Sequence, residues 1–257
     1  MPIALLTDFG TSDYFVGAMK GVILSIAPIV PIVDISHHIS PQDISEATFV
    51  LEACYRDFPE GTIFVAVVDP GVGSNRKPLL AASSGFYFVG PDNGIFSFLF
   101  DEGDRFSAFE ITNQQYMASS RSGTFDGRDI FAPAAANLAM GAAPDQFGPP
   151  VESPVVLPAV RPRRITETET IAQIRHIDHF GNIITNLRPA DLSEKFKIAI
   201  NGQTIERMRQ CYADAEPGEI FAIAGSSGLI EIAVREGSAQ SELGVNRGDE
   251  VTLVIDR

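Results

Sequence analysis

Two aspartates lie close together in the segment TFDGRDIF (124–131), and only one of them has an obvious structural use. Asp129 comes just before the apolar stretch FAPAAANLAM, so it can act as the N-cap or first-turn acid of a helix there, with Pro133 tolerated in the opening turn. Asp126 cannot serve the same helix end equally well. It is therefore a candidate for chemistry.

Two further acids follow predicted strands. Asp8 follows IALLT and Asp69 follows TIFVAVV, and ligands of open parallel sheets bind beyond the carboxyl ends of the strands. Asp8, two residues before Gly10, could accept two hydrogen bonds from a vicinal diol such as a ribose. Asp69 begins the turn DPGVGSNRK, which brings Arg76 back to the strand end, where an Asp–Arg pair can fix a water or an anion. Taken singly, each acid is also explained as a loop-ordering group, and Arg76 as a solvated surface residue.

The second half of the chain offers polar and aromatic side chains on two turns. IDHFGNIITN places Asp178, Phe180 and Asn182 around a glycine, which suits stacking against a base and recognition of its edge. A plain hairpin with a core phenylalanine explains the same pattern. GSSGLIEIAV supplies Ser226 and Ser227 as small donors for a carboxylate, or is a simple turn before a strand.

Several other motif classes are absent. DFGTSDYFVG is not GxGxxG, and no GxxxxGKS occurs, so neither the dinucleotide fingerprint nor a P-loop is indicated. The four histidines, with Cys54 and Cys211, form no zinc or disulfide spacing, so we expect no metal and no cofactor. The segment GPDNGIFS, which contains Asn93, predicts a tight turn, and its spacing indicates no function.

The charge balance narrows the range of partners. Nineteen Lys and Arg against 33 Asp and Glu give a net charge of −14, the opposite of what a nucleic-acid backbone requires. An acidic field favours a cationic or neutral small substrate. The segment MPIALLTDFG lacks a basic start, and no apolar stretch could span a bilayer. We therefore expect no membrane partner and a cytoplasmic location.

The apolar segments predict two domains. Residues 1–150 alternate strands (IALLT, IVPIVDIS, TIFVAVVD, FYFVG) with helices (YFVGAMKGVILSIA, ISEATFVLEACYRDF), which is typical of an α/β domain with a mostly parallel sheet. Residues 151–164 are proline-rich and predict a linker. Residues 165–257 contain short runs such as FKIAI and VTLVID between turns, which indicates a smaller all-β, barrel-like domain.

These motifs together resemble one protein family. LLTDFGTSDYFVGAMKG, DISHHI, FVAVVDPGVGSNRK, VGPDNGIFS, TFDGRDIFAPAAA, IDHFGNIITN and SSGLIEIAV are similar, in this order, to stretches of the S-adenosyl-L-methionine hydroxide adenosyltransferases, relatives of the fluorinases and chlorinases. The resemblance covers nearly the whole chain. It implies an N-terminal α/β domain, a C-terminal β-barrel and a homotrimer, with S-adenosylmethionine bound between the N-domain of one subunit and the C-domain of its neighbour.

The resemblance also implies the reaction and the residues. Water or hydroxide would displace methionine at the ribose C5′, with S-adenosylmethionine as the substrate and no metal. Asp8 would hold the ribose hydroxyls, Phe180 and Asn182 would lie along the adenine, and Asp178, Ser226 and Ser227 would meet the methionine end. Phe9 and Asn93 complete the substrate-binding set: Asp8, Phe9, Asn93, Asp178, Phe180, Asn182, Ser226 and Ser227.

The catalytic set departs from the family pattern at one position. Asp69 and Arg76 match two members of an Asp–Arg–His set, but TFDGRD places Asp126 where the family has histidine. Because methionine leaves as a neutral thioether, placement of the nucleophile matters more than acid catalysis. The leading hypothesis is therefore hydrolysis, with Asp69, Arg76 and Asp126 as catalytic residues. The alternative is a disabled protein that binds S-adenosylmethionine or adenosine, and a halogenase ranks last because two facing acids disfavour a halide site.

Overall fold

The computed structural model describes residues 1–101 and 106–256. The chain divides into two compact units, Met1–Leu157 and Pro158–Arg257. The first unit combines a mixed sheet with helices, and the second is a curled, half-barrel sheet of strands. The predicted pairing of an α/β domain with a smaller all-β domain is confirmed.

The first unit is built on a six-stranded sheet with the order β2-β1-β3-β5-β4-β6. Its strands are β1 Ile3–Thr7, β2 Ile32–Ser36, β3 Ile63–Val67, β4 Pro78–Ser83, β5 Phe86–Pro91 and β6 Phe106–Glu110. The four strands β2, β1, β3 and β5 run parallel, whereas β4 and β6 pair antiparallel beside them. The sequence analysis identified the parallel strands but missed both antiparallel ones.

Helices cover both faces of this sheet. They are α1 Phe15–Ile26, α2 Ile44–Cys54, α3 Phe98–Asp101 and α4 Ala132–Ala139. Every residue of β1 and β3 is buried, as expected for central strands that are covered on both sides. The acids that follow these two strands, Asp8 and Asp69, are therefore positioned by fully buried strands of the unit.

Helix α2 has Asp43 as its N-cap. The Asp43 carboxylate accepts a hydrogen bond from the Glu46 backbone N–H at 2.9 Å. A carboxylate in this position satisfies one of the free N–H groups of the first turn. None of the helices in the described ranges is long and apolar enough to cross a membrane.

Of the two predictions for Asp129, the N-cap is wrong, whereas the first-turn acid is confirmed. Residues Gly127–Phe131 form a π-helical turn ahead of α4, whose N-cap is Phe131, with no capping side chain. The Asp129 carboxylate instead accepts hydrogen bonds from the Ser122 backbone N–H (2.7 Å), the Ser122 hydroxyl (2.8 Å) and Arg128 Nε (2.6 Å). It thus ties the preceding loop to the helix. Burial alone would raise the pKa of Asp129, but the bonds from Arg128 and Ser122 lower it overall.

Part of the proline-rich segment packs on the first unit. The Val155 N–H donates to Asp92 Oδ1 at 2.8 Å, and the Leu157 N–H donates to the Ser97 hydroxyl at 2.7 Å. The backbone N–H groups that this irregular segment cannot pair internally are therefore satisfied by side chains of the unit.

The second unit is a nine-stranded curled sheet with the order β11-β10-β15-β8-β9-β14-β13-β12, and β7 pairs with β8. Its elements are β7 Arg163–Arg164, β8 Glu169–Ile177, β9 Ile183–Thr185, β10 Phe196–Ile200, β11 Gln203–Ile205, β12 Met208–Arg209, β13 Ile220–Ala224, β14 Ile230–Val234, α5 Ala239–Leu243 and β15 Glu250–Ile255. The hairpins β8–β9 and β13–β14 carry the motifs IDHFGNIITN and GSSGLIEIAV at their turns.

Candidate functional site

Three of the predicted site residues form one ion-paired cluster in the first unit. Arg76 Nε donates to both oxygens of Asp69, at 3.0 Å to Oδ1 and 2.9 Å to Oδ2. Arg76 Nη2 donates to Asp69 Oδ2 and also to Asp126 Oδ2. Arg76 therefore bridges two carboxylates that lie 57 residues apart in the chain (126 − 69).

The cluster is shielded from water. The side chains of Asp69, Arg76 and Asp126 are 5%, 11% and 11% exposed. The guanidinium also lies over the Phe131 ring, 5.4 Å from its centre. Burial alone would lower the pKa of Arg76, but the hydrogen bonds and charges of Asp69 and Asp126 raise it. Counted by formal charge, the cluster holds two acids and one cation, with one negative charge in excess.

Two glycines let the loops of the cluster approach each other. Gly73 has φ +78°, and a Cβ atom built on it would lie 2.7 Å from the Gly123 carbonyl oxygen. A side chain is excluded there by both the backbone conformation and the contact. The turn that carries Arg76 thus packs directly on the loop that leads to Asp126.

Asp8 lies on a turn after β1 that is held from several sides. Its Oδ2 accepts a hydrogen bond from the Gln42 backbone N–H at 2.8 Å. Phe9 packs against Phe15 and Phe125, with ring centres 5.8 and 5.7 Å apart. Phe125 directly precedes Asp126, so the aromatic cluster connects the Asp8 turn to the Asp126 loop.

Asn93 supports the end of β3. Its Nδ2 donates to the Val68 carbonyl at 2.8 Å, and its Oδ1 accepts from the Ile95 N–H at 3.2 Å. Val68 directly precedes Asp69, so the amide of Asn93 helps to position the buried cluster.

In the second unit, Asp178 and Asn182 are paired across the β8–β9 turn. Asp178 Oδ1 accepts from the backbone N–H groups of Phe180 (2.9 Å) and Asn182 (2.8 Å), and Oδ2 accepts from Asn182 Nδ2 at 2.9 Å. Phe180 is 75% exposed. The interpretation of Phe180 as a core residue is therefore wrong, and its ring faces are available for stacking.

The β13–β14 turn presents the two predicted serines differently. Ser226 is exposed, whereas the Ser227 hydroxyl is buried and has no hydrogen-bond partner within residues 1–101 and 106–256. Buried hydroxyls are normally satisfied. The hydrogen-bonding capacity of the Ser227 hydroxyl is therefore unused by the described residues.

The sequence analysis missed Glu231 and Tyr212 beside this turn. The Tyr212 hydroxyl donates to Glu231 Oε2 at 2.9 Å. Glu231 Oε1 lies only 1.8 Å from the position that a Cβ atom on Gly225 would occupy. Burial and the nearby Asp178 charge raise the pKa of Glu231, although the Tyr212 bond opposes them. Burial and the Glu231 bond raise the pKa of Tyr212 to about 12. The sequence contains one indication of Glu231, because it is the sole charged residue of the strand IEIAV.

The described residues contain no group of three or more His, Cys, Asp or Glu side chains that could hold a metal ion.

The predicted site residues form two groups. Asp8, Phe9, Asp69, Arg76, Asn93 and Asp126 are connected in the first unit, and Asp178, Phe180, Asn182, Ser226 and Ser227 lie on two turns of the second.

Comparison with known proteins identifies the family. The model of the SAM hydroxide adenosyltransferase N-terminal domain matches residues 3–148, and that of the corresponding C-terminal domain matches residues 172–252. The chain belongs to the SAM hydroxide adenosyltransferase family.

Individual relatives cover almost the full length. The chain is 37% identical over 260 residues to an (R)-S-adenosyl-L-methionine hydrolase of Thermus thermophilus, covering 98% of this chain and 99% of the relative. An (R)-S-adenosyl-L-methionine hydrolase of Salinispora arenicola is 34% identical over 263 residues, with 98% and 97% covered. The crystal structure of an uncharacterized conserved protein from Thermotoga maritima superposes with a TM-score of 0.92 at 34% identity, covering 98% and 99%.

Proposed function

We propose that this protein hydrolyses S-adenosyl-L-methionine to adenosine and L-methionine. The oxygen of water or hydroxide bonds to the ribose C5′, the C5′–S bond breaks, and its electron pair stays on sulfur, which leaves as a neutral thioether. The proton of an attacking water passes to solvent. Family membership and the (R)-S-adenosyl-L-methionine hydrolases among its relatives support this reaction.

The observation that carries the proposal is the way Arg76 is shared. Asp69 gives both oxygens to the guanidinium, whereas Asp126 gives only Oδ2. Within the described residues Asp126 Oδ1 accepts no hydrogen bond, so it can accept one from the attacking water. Arg76 holds that carboxylate in place, and placement is the main requirement when the leaving group needs no protonation. In this role Asp126 replaces the histidine of the family pattern.

The remaining residues would bind the substrate. Asp8 would accept hydrogen bonds from the ribose diol. Phe180 would stack on the adenine, and Asn182 would meet its edge. Asp178, Ser226 and Ser227 would hold the ammonium and carboxylate of the methionine end. Phe9 and Asn93 would support the substrate site, Phe9 through its packing on Phe125 and Asn93 through its hydrogen bond to the Val68 carbonyl at the end of β3.

The direct test is a product assay in chloride-free buffer. The purified protein and an Asp126→His variant are incubated with S-adenosylmethionine, and adenosine and methionine are followed by chromatography. The proposal predicts equal amounts of both products from the unmodified protein. If both proteins bind the substrate but only the variant turns it over, the chain is a binding protein disabled at Asp126.

A chloride titration tests the halogenase alternative. Addition of chloride should leave the adenosine yield unchanged, because the excess negative charge of the Asp69–Arg76–Asp126 cluster disfavours a halide. Formation of 5′-chloro-5′-deoxyadenosine would instead favour the halogenase.

We further propose a cytoplasmic homotrimer with substrate sites between subunits, which needs no cofactor or metal. The family resemblance supports the assembly. Light scattering coupled to gel filtration should give three times the chain mass of 27.7 kDa. Turnover should survive dialysis against EDTA, and a loss that zinc or magnesium restores would contradict the metal-free mechanism.

A further inference from the structure

We propose that His37 is a positioning residue that orients Asp8 for the ribose diol, and that it acts together with Asp34 and Lys20. This inference rests on the role given to Asp8 above. It assigns a use to the buried histidine of DISHHI, which the catalytic cluster does not touch.

Contacts of His37 enclose Asp8 on both sides. His37 is 4% exposed, and its backbone carbonyl accepts a hydrogen bond from the Gly10 N–H at 2.7 Å. Its ring Nδ1 lies 2.9 Å from the Thr7 hydroxyl, which in turn accepts from the Phe9 N–H at 3.2 Å. The residues before and after Asp8 are thus held by one side chain and its own backbone.

A local shift in strand pairing brings His37 to this turn. Leu5 of β1 pairs with Asp34 of β2, but Leu6 pairs with Ser36, so the register slips by one residue between them. Such irregularities re-aim the residues that follow. Here the slip carries the end of β2 alongside the Asp8 turn.

The other ring nitrogen of His37 connects to charged groups. Nε2 lies 3.1 Å from Asp34 Oδ1, without the alignment of a hydrogen bond. Asp34 Oδ2 accepts from Lys20 Nζ of α1 at 2.6 Å. Burial alone would raise the pKa of Asp34, but Lys20 and His37 lower it, which keeps the carboxylate charged.

The donors and acceptors fit one arrangement. The Phe9 N–H donates to the Thr7 oxygen, the Thr7 hydroxyl shares a hydrogen bond with His37 Nδ1, and His37 Nε2 faces the Asp34 carboxylate. No aliphatic side chain could reproduce the polar contacts of the ring with both Thr7 and Asp34. We therefore infer that the ring fixes the orientation of the Asp8 turn rather than merely filling space.

The test uses two ligands that differ only in the diol. Binding of adenosine and of 2′,3′-dideoxyadenosine is measured by calorimetry for the unmodified protein, His37→Gln and Lys20→Met. His37→Gln should weaken adenosine binding about tenfold, the effect of losing one hydrogen bond from the ribose diol to the Asp8 carboxylate, and should leave binding of the dideoxy ligand unchanged. Lys20→Met, at the exposed end of the chain of contacts, should weaken adenosine about twofold to threefold.

The controls separate positioning from structure. His38→Gln alters the neighbouring exposed histidine and should change neither ligand. In a double variant with Asp8→Asn, His37→Gln should add nothing further, because the group it positions is already altered.

The inference is overturned if His37→Gln weakens both ligands equally, if it weakens neither, or if the unmodified protein does not bind adenosine. If His37→Gln fails to fold, the Lys20→Met result alone decides by the same criteria. Failure of the proposed function has a different signature, in which diol-dependent binding persists but S-adenosylmethionine is not hydrolysed.

Discussion

The two groups of site residues are assembled in opposite ways. The Asp69–Arg76–Asp126 cluster joins groups up to 57 residues apart (126 − 69), is buried, and exists because strand β3 and the loop before α4 converge. The Asp178–Asn182 pair closes within four residues of one hairpin. The first arrangement depends on the whole α/β unit, whereas the second depends on a turn. The four predictions below test this contrast, from the largest expected effect to the smallest.

Replacement of Arg76 by alanine should have the largest effect. It leaves two buried carboxylates facing each other without their cation, which typically costs about 3–5 kcal/mol. Turnover should fall by at least about 100-fold, because the water-holding carboxylate loses its support. Denaturant unfolding and the product assay measure the two effects.

Lys77→Ala provides the matched control for Arg76. Lys77 is the next residue, its side chain is 49% exposed, and its nearest carboxylate is 3.9 Å away. It should be nearly neutral in both assays. Equal losses in the two variants would show that the cluster has no special role.

Replacement of Asp178 by asparagine should affect binding more than folding. An amide has only one oxygen, so it cannot accept both from the backbone N–H groups, as Oδ1 does, and from Asn182 Nδ2, as Oδ2 does, and we expect about 1–2 kcal/mol of lost stability. Loss of the charge should weaken S-adenosylmethionine about 10-fold to 100-fold while adenosine is less affected. Calorimetry with both ligands gives the comparison.

Asp191→Asn is the control for this turn. Its carboxylate accepts from the Arg188 N–H at 2.7 Å on an exposed turn of the same unit. It should lose similar stability without any change in binding. Weaker ligand binding in this variant would indicate a general loosening of the unit.

Replacement of Phe180 by alanine should separate binding from stability completely. A ring that is 75% exposed contributes little to the core, so unfolding should change by less than about 0.5 kcal/mol. Loss of base stacking, typically about 1–3 kcal/mol, should weaken adenosine about tenfold or more. Ile29→Ala, at a site 94% exposed, should change neither quantity. Unchanged adenosine binding in Phe180→Ala would remove the stacking role.

The smallest expected effect is an opposite pH dependence of two buried acids. The lowered pKa of Asp129 stabilises the fold above its ordinary value of 3.8, and this contribution is lost as the pH falls through the lowered pKa. The raised pKa of Glu231 has the opposite effect. Its contribution to the stability of the fold is present below its ordinary pKa of 4.5 and is lost as the pH rises through the raised pKa.

Thermal unfolding of two isosteric variants between pH 3 and 7 checks these signs. Relative to the unmodified protein, Asp129→Asn should become less stable as the pH rises from the lowered pKa toward 3.8, and Glu231→Gln should become more stable as the pH rises above 4.5. Parallel curves for the two variants would contradict the assignment of one acid as charged and the other as favouring its neutral form.

The sequence predicted what depends on local pattern. Apolar periodicity identified the parallel strands, and the ends of these strands predicted the positions of the acids Asp8 and Asp69. The antiparallel strands β4 and β6 were missed because their alternation is interrupted by small residues and their pairing is set by neighbours distant in the chain.

The sequence analysis predicted the pair of Asp69 and Arg76, which is observed, but it did not predict the link from Arg76 to Asp126. No spacing rule states that Arg76 bridges Asp69 and Asp126, because that geometry is created by tertiary packing. Asp129 was predicted as an N-cap or a first-turn acid, and the sequence could not decide between the two because it does not show that the loop at Ser122 binds this carboxylate. The exposure of Phe180 likewise depends on which face of the hairpin meets the core.

The contact between Gly73 and Gly123 constrains how this centre can be redesigned. Because a Cβ on Gly73 would lie 2.7 Å from the Gly123 carbonyl oxygen, the backbones of the two loops pack directly against each other, and the position of each loop depends on the other. An engineer who grafts the Arg76 turn onto another scaffold must therefore transfer the Asp126 loop with it. Loop libraries that vary either segment alone would sample mostly misaligned centres.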